Sequence, residues 1–259
     1  MRVERDIPYA APSGDMPGAR LCFDLYLPET TPKRVVLFAH GGGFFKGDRV
    51  AGLRPALRDR LVAEGFALAS ISYRLGTPLT AFAADEQRQI RANMKRAKAT
   101  GLPLSRRLCG AAFEAARRDM ARAVTHLNAL SQDIDAKEKI PAVVGVSAGG
   151  IAALSLASEP VSDRFPQPPA SVVTLSAAIV RPWALGPATR PALMLHSVFD
   201  RVIPPQAAEM ARDAATQEAA PVSVLTCARK GHNQTIDALL EDRDETGATY
   251  FSRALQYLE

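Results

Sequence analysis

Gly145-Val146-Ser147-Ala148-Gly149 lies where an apolar stretch, Pro141 to Val146, gives way to an Ala/Leu-rich one, Ile151 to Ala157. A strand that turns at once into a helix leaves no room for side chains beside the turn. Glycines at 145 and 149 relieve that crowding and permit a strained backbone. Ser147 is then exposed at a helix N-terminus, where N–H groups and the helix dipole favour a developing negative charge. The pattern points to a serine nucleophile. A glycine-rich turn of no chemical consequence has the same spelling. The two readings separate on whether a base, an orienting acid and an oxyanion hole stand elsewhere in the right chain order.

The remaining chain repeats the apolar-strand, amphipathic-helix alternation. Strands are expected at Val3 to Tyr9, Leu21 to Leu27, Arg34 to Ala39, Phe66 to Ser72, Ser171 to Leu175, Ala192 to His196 and Val222 to Thr226. A turn carrying Pro12, Gly14, Pro17 and Gly18 separates the first two. Helices are expected at Pro55 to Glu64, Phe113 to Leu130, Gln206 to Glu218 and Ala248 to Leu258. The second of these shows a helical stripe of Ala116, Met120, Ala123, Val124, Leu127 and Leu130. This order predicts an α/β domain over 1–259, with a mostly parallel central sheet and helices on both faces.

With 47% hydrophobic and 23% charged residues, the composition is that of a soluble globular protein. No run approaches the roughly 18 apolar residues that span a bilayer, so no stable membrane anchor is expected. The first residues lack a basic and then apolar leader pattern. Cys22, Cys109 and Cys227 are scattered and odd in number, which suits reduced thiols in a cytoplasmic protein and offers no metal-ligand spacing.

The net charge of +5 raises the question of nucleic acid, and its distribution answers it. Seven Lys/Arg (88, 91, 95, 96, 98, 106 and 107) stand against Asp85 and Glu86 between Pro78 and Ala111, so this segment holds the whole excess. The basicity is local, and no nucleic-acid partner is expected. Phe82, Ile90, Met94 and Ala97 recur there near helical spacing. One reading is a solvated helix packed by a thin stripe. The other is a cap over the serine pocket formed by Thr80 to Lys98, with its basic side chains favouring anionic acyl substrates. A membrane-surface helix is a third reading, weakened by the thin apolar face.

The chemistry the serine needs is found in three further loops. His40-Gly41-Gly42-Gly43-Phe44 follows the strand Arg34 to Ala39, and consecutive glycines bring bare N–H groups close to a bound carbonyl. A merely flexible loop is the bland alternative; His40 itself suits fixing the loop better than proton transfer. His232, in Lys230-Gly231-His232-Asn233, follows the last strand, and strand C-termini share one sheet edge. It suits the base better than His126, in mid-helix, His196, at a strand end too early, or His40. Asp200 follows the strand ending at His196 and precedes the base, as an orienting acid should. A turn aspartate pairing with Arg201 is its alternative, and Asp163 and Asp237 are fallback acids.

Ser147, Asp200, His232 in this order is the α/β-hydrolase order. HGGGF at 40–44, Ser72-Tyr73-Arg74-Leu75 and GVSAGG at 145–150 together resemble the bacterial hormone-sensitive-lipase-like esterases, from about residue 20 onward. The resemblance implies that Gly42, Gly43 and Ala148 are the oxyanion N–H donors and that Tyr73-Arg74 buttresses the site. It implies a carboxylesterase without metal or organic cofactor, and a homodimer through an edge strand or terminal helix. The chain departs from that family twice. Strands are expected almost from the first residues and only about fifty residues separate Ser147 from Asp200, so neither the family's N-terminal cap nor its cap between serine and acid is expected, and a basic segment at about 76–112 is read as an addition. The compact core also resembles small acyl-esterases and the catalytic domain of prolyl oligopeptidases.

The expected activity is hydrolysis of a small-molecule carboxylic ester of short-to-medium acyl chain through an acyl-enzyme. An amidase or peptidase of prolyl-oligopeptidase or formamidase type would use the same triad. A non-catalytic binding protein on this scaffold would usually have lost a triad member. Phe44, Phe45, Trp183, Leu185 and Phe199 are the candidates for lining the substrate pocket.

Overall fold

Arg34–Ala39 (β3) and Ala67–Ile71 (β4) are buried along their whole length, as runs without polar alternation must be when helices cover both faces of a sheet. Successive residues of β3 feed opposite cores. Val35, Leu37 and Ala39 join one apolar cluster, and Val36 and Phe38 join the other. The computed structural model describes residues 1–10 and 20–259; the expected turn at Pro12, Gly14, Pro17 and Gly18 lies outside them.

The other strands are β1 (Arg2–Pro8), β2 (Cys22–Leu27), β5 (Glu138–Val146), β6 (Val172–Leu175), β7 (Ala192–Ser197) and β8 (Val222–Cys227). They form one sheet in the order β1-β2-β4-β3-β5-β6-β7-β8. Only the β1–β2 and β2–β4 pairings are antiparallel. From β4 to β8 every pairing is parallel, so the C-terminal ends of β3, β5, β7 and β8 share an edge.

Helices α1 (Pro55–Ala63), α6 (Thr235–Glu241) and α7 (Tyr250–Leu258) cover one face through Leu57, Leu61, Leu239 and Phe251. Helices α3 (Ala111–Asp133), α4 (Ala148–Ala157) and α5 (Gln206–Gln217) cover the other through Met120, Val124, Ile151 and Ala211. The stripe read from sequence in α3 is the face that packs. Helix α6 was not separable in the sequence, being short and set directly behind the His232 loop.

The basic segment at about 76–112 folds into defined elements. A 3-10 turn (Leu79–Ala81), helix α2 (Ala84–Ala99) and a second 3-10 turn (Arg106–Cys109) lead into α3. Phe82, Ile90 and Ala97 are buried and Met94 is half-buried, so the thin apolar stripe is the face that docks. Glu86 fixes the segment at its start. Its carboxylate accepts from the Ala83 N–H and pairs with Arg118 and Arg164, both at 2.9 Å. Behind it, Glu114 is buried among Arg117, Arg118 and Arg181. Burial alone would raise its carboxyl, but the surrounding arginines pull it down to about 2.

Candidate active site

The strained residue of this chain that matters most is Ser147, at φ 52° and ψ −118° between the end of β5 and the start of α4. No L-residue adopts that backbone without cost, about 1–3 kcal/mol, unless its surroundings impose it. Here they do. The Ser147 N–H donates to the Leu175 carbonyl of β6 at 2.8 Å, and its carbonyl accepts from Ile151 one turn into α4. A Cβ on Gly149 would collide with the carbonyl oxygens of Ala39 and His40, and one on Gly145 would meet the Gly150 backbone at 2.7 Å. The glycines let helix, elbow and glycine loop pack against one another.

His232 reaches the serine from the 3-10 turn His232–Gln234 after β8, with Nε2 2.8 Å from Ser147 Oγ. Its Nδ1 lies 2.7 Å from Asp200 Oδ2. A carboxylate only accepts, so Nδ1 carries the proton and Nε2 is bare toward the hydroxyl. Asp200 is buried, and its other oxygen accepts from the N–H groups of Val202 (2.8 Å) and Ile203 (3.0 Å). Burial alone would raise its carboxyl, yet the bonds from His232, Val202 and Ile203 outweigh that and hold it below the usual range. Asp200 is thus an ionised, doubly anchored acceptor.

The other histidines are accounted for elsewhere. His196 is buried with Nε2 3.0 Å from the Ile203 carbonyl, behind Asp200. His40 stacks on Tyr73, with ring centroids 4.3 Å apart, and Tyr73 Oη donates to the His40 carbonyl at 2.7 Å. His126 sits edge-on to Phe23. Arg74 lies in a buried pair with Asp119 of α3, at 2.8 Å, so Tyr73 and Arg74 tie the glycine loop and α3 to the strand end behind the site. Asp237, one fallback acid, pairs with Arg54.

The loop after β3 is held by its own carbonyls: the N–H groups of Phe45 and Lys46 both donate to Gly42, and that of Gly76 to Phe44. Among the described residues, no acceptor is assigned to the N–H groups of Gly42, Gly43 or Ala148. Gly42 has φ 114°, and a Cβ there would collide with the Lys46 carbonyl; Gly43 has φ 65°, and a Cβ there would meet only Leu108, at 4.0 Å. Gly42→Ala is therefore expected to lower kcat by about 10²–10³-fold, the usual cost of one misplaced oxyanion donor. Gly43→Ala, strained but unobstructed, is expected to lose at least tenfold less. Steady-state kinetics on p-nitrophenyl butyrate compare them, and equal losses would refute the assignment.

The candidate pocket residues divide. Phe44 is 0% exposed, packed edge-on to Tyr73 and Phe113, and belongs to the core; its positive φ of 67° turns the side chain inward, so it lines no open pocket. Leu185 is buried as well. Phe45 and Phe199 are 43% and 47% exposed, next to the glycine loop and to Asp200. Trp183 lies under the Arg96 guanidinium, 4.4 Å from the ring centroid, and lines a groove of about 570 Å³ that includes no triad residue.

Ser176 was missed in the sequence. Its hydroxyl donates to the His232 carbonyl at 2.5 Å and meets Thr235 Oγ1 at 2.9 Å, anchoring the backbone that carries the His232 imidazole. Nothing local distinguishes it except its place at the end of β6.

Eight strands in this order, with β2 alone running against the other seven, a serine elbow after β5, an acid after β7 and a histidine after β8, decide the architecture. The chain has the α/β-hydrolase fold. The BD-FAE family model matches residues 23–100. No curated protein matches the chain in sequence. Among solved structures, it is similar to a truncated carbohydrate esterase from gut microbiota, with a TM-score of 0.69 and 12% identity, covering 100% of this chain and 95% of the other. It is also similar to the carboxylesterase Cest-2923 from Lactobacillus plantarum, at 0.63 and 14%, covering 92% of each chain. An α/β-hydrolase enzyme from a Medee basin deep-sea metagenome library gives 0.65 and 16%, covering 100% of this chain and 96% of the other. The basic segment stands between β4 and α3, and between α4 and β7 the described residues hold β6, a 3-10 turn (Pro182–Ala184) and an isolated bridge of Ser162 with Phe165. No described helix is long and apolar enough to cross a membrane, and no cluster of three or more metal-ligating side chains occurs among the described residues.

Proposed function

We propose that this protein is a serine hydrolase that cleaves carboxylic esters of short-to-medium acyl chain. The observation that carries the reading is the continuous relay from Asp200 through His232 to Ser147, with both links at hydrogen-bond distance, 2.7 and 2.8 Å. The esterases among the structural neighbours support the choice of ester over amide.

In the first step His232 Nε2 takes the Ser147 proton while Oγ forms a bond to the ester carbonyl carbon. The carbonyl π pair moves onto oxygen, and the N–H groups of Gly42, Gly43 and Ala148 receive the oxyanion, each worth about 3–4 kcal/mol in the transition state. The pair returns, the bond to the alcohol oxygen breaks, and the alcohol leaves with the proton from His232. Water, deprotonated by the same nitrogen, then attacks the acyl-enzyme, and Ser147 departs with the proton as the acid is released. Asp200 stays ionised throughout and holds the imidazole tautomer. Three free thiols, two of them buried, suit the reducing cytoplasm we assign to it.

The test is paired. The protein should hydrolyse p-nitrophenyl acetate and butyrate and should take a fluorophosphonate label on Ser147. Activity on matching anilides at least as high as on the esters would move the assignment to an amidase. Absence of both labelling and turnover would leave a non-catalytic binder.

A further inference from the structure

Ser147 follows β5 and His232 follows β8, and two strands, β6 and β7, stand between them. Three strand spacings separate the two, about 14 Å at a spacing of about 4.8 Å. The chain after β8 must therefore run back over the ends of β7 and β6 before its imidazole meets the serine. β7 contributes Asp200 to this crossing. β6 contributes no side chain to the relay, yet its end holds the backbone of both Ser147 and His232.

Two consecutive residues do this. The Leu175 carbonyl accepts the Ser147 N–H at 2.8 Å. The Ser176 hydroxyl donates to the His232 carbonyl at 2.5 Å, and Thr235 Oγ1 donates to the same oxygen at 3.2 Å. Ser176 and Thr235 are both 0% exposed. Two buried donors occupy both lone pairs of that carbonyl and fix its place and direction. The peptide plane joining Leu175 to Ser176 is pinned as well, because the Ser176 N–H donates to the Leu195 carbonyl of β7 at 3.0 Å.

Ser176 holds a backbone that its residue type does not favour. Its φ is 53°, in the left-handed region where glycine fits without strain. Glycine there would lose the hydroxyl. Strain kept at a buried position points to a use for the side chain. That use is not retention of the loop. Ser197, at the end of β7, donates its hydroxyl to the Arg229 carbonyl and accepts from the Phe199 N–H at 3.0 Å. The Arg229 guanidinium pairs with Asp242 at 2.6 Å. The loop is thus held three residues before His232 without Ser176, whose bond acts at residue 232 itself.

We propose that Ser176 is a positioning residue for proton transfer. Acting through the His232 backbone, and without touching substrate, its hydroxyl keeps Nε2 at 2.8 Å from Ser147 Oγ. This role rests on the esterase reading above and deepens it. Asp200 fixes the imidazole at Nδ1, and Ser176 fixes the carbonyl of the same residue, so the ring is held from two directions.

The test uses Ser176→Ala and Ser176→Gly in the full chain. Both remove the hydroxyl, and only glycine relieves the backbone. Each is expected to lower kcat on p-nitrophenyl butyrate by about 10- to 100-fold, with KM changed less than about twofold and the fluorophosphonate labelling rate falling in parallel. In a His232→Ala background, Ser176→Gly is expected to change the residual hydrolysis by less than about twofold, since the imidazole it acts through is gone. A glycine variant with kcat restored would assign the effect to backbone conformation. A loss that persists in full without the imidazole would assign it to general damage. Either result, or kcat within about threefold of the unaltered protein in Ser176→Gly, overturns the proposal. Should Ser176→Ala fail to fold, Ser176→Gly alone decides. An unaltered protein that neither turns over esters nor takes the label marks the failure of the esterase reading, and the role of Ser176 falls with it.

Discussion

Ser147→Ala is expected to lower kcat on p-nitrophenyl butyrate by about 10⁵–10⁶-fold and to abolish fluorophosphonate labelling, with the fold intact. Everything else at the site would remain: the N–H groups of Gly42, Gly43 and Ala148 proposed to bind the oxyanion, and the His232–Asp200 pair. Their combined residual effect over water is about 10³–10⁴-fold, so a faint activity without an acyl-enzyme is the expected floor. Turnover within a hundredfold of the unaltered protein would mean that another group attacks the carbonyl.

The same residue separates stability from activity. At φ 52° and ψ −118°, alanine is as strained as serine, so Ser147→Ala gains nothing from relief of the backbone. Glycine adopts that conformation freely. Ser147→Gly, equally inactive, should therefore unfold at higher denaturant than Ser147→Ala, by about 1 kcal/mol after glycine's larger unfolded-state entropy is subtracted. Urea melts of the two dead variants measure the strain directly, without interference from lost contacts of the hydroxyl.

Much of this architecture was legible because the signals were one-dimensional. Arg34–Ala39 can only be a strand covered on both faces, and Gly42, Gly145 and Gly149 mark places where backbone approaches backbone. Chain order alone ranked His232 above three other histidines, since a parallel sheet brings strand C-termini to one edge. The stripe Ile90, Met94, Ala97 gave the docking face of α2, and Phe82, just before it, docks as well. What the sequence could not give depended on convergence in space. Phe44 and Phe45 are adjacent and chemically identical, yet the positive φ of Phe44 sends one ring into the core and leaves the other in solvent. Ser176 anchors a carbonyl 56 residues away, and Glu114 gathers Arg117, Arg118 and Arg181 from two segments. No local pattern spells such meetings.

Asp200→Asn is expected to cost about 10⁴-fold in kcat, and the structure gives the reason in its hydrogen-bond directions. Asp200 Oδ1 accepts from two backbone N–H groups, of Val202 and Ile203, while Oδ2 faces His232 Nδ1 at 2.7 Å. An asparagine in this place must keep its carbonyl oxygen toward the two N–H donors, since an NH₂ group there would oppose both. Its NH₂ then points at His232 Nδ1 and requires that nitrogen to accept. The imidazole proton is driven to Nε2, toward Ser147 Oγ, and the nitrogen that should take the serine proton already holds one. The geometry survives while the tautomer is wrong. The fluorophosphonate labelling rate should fall in parallel with kcat, because both need a deprotonated Ser147, whereas the thermal midpoint should move little. Labelling that stays fast while ester turnover collapses would place the role of Asp200 after acylation and contradict the tautomer argument.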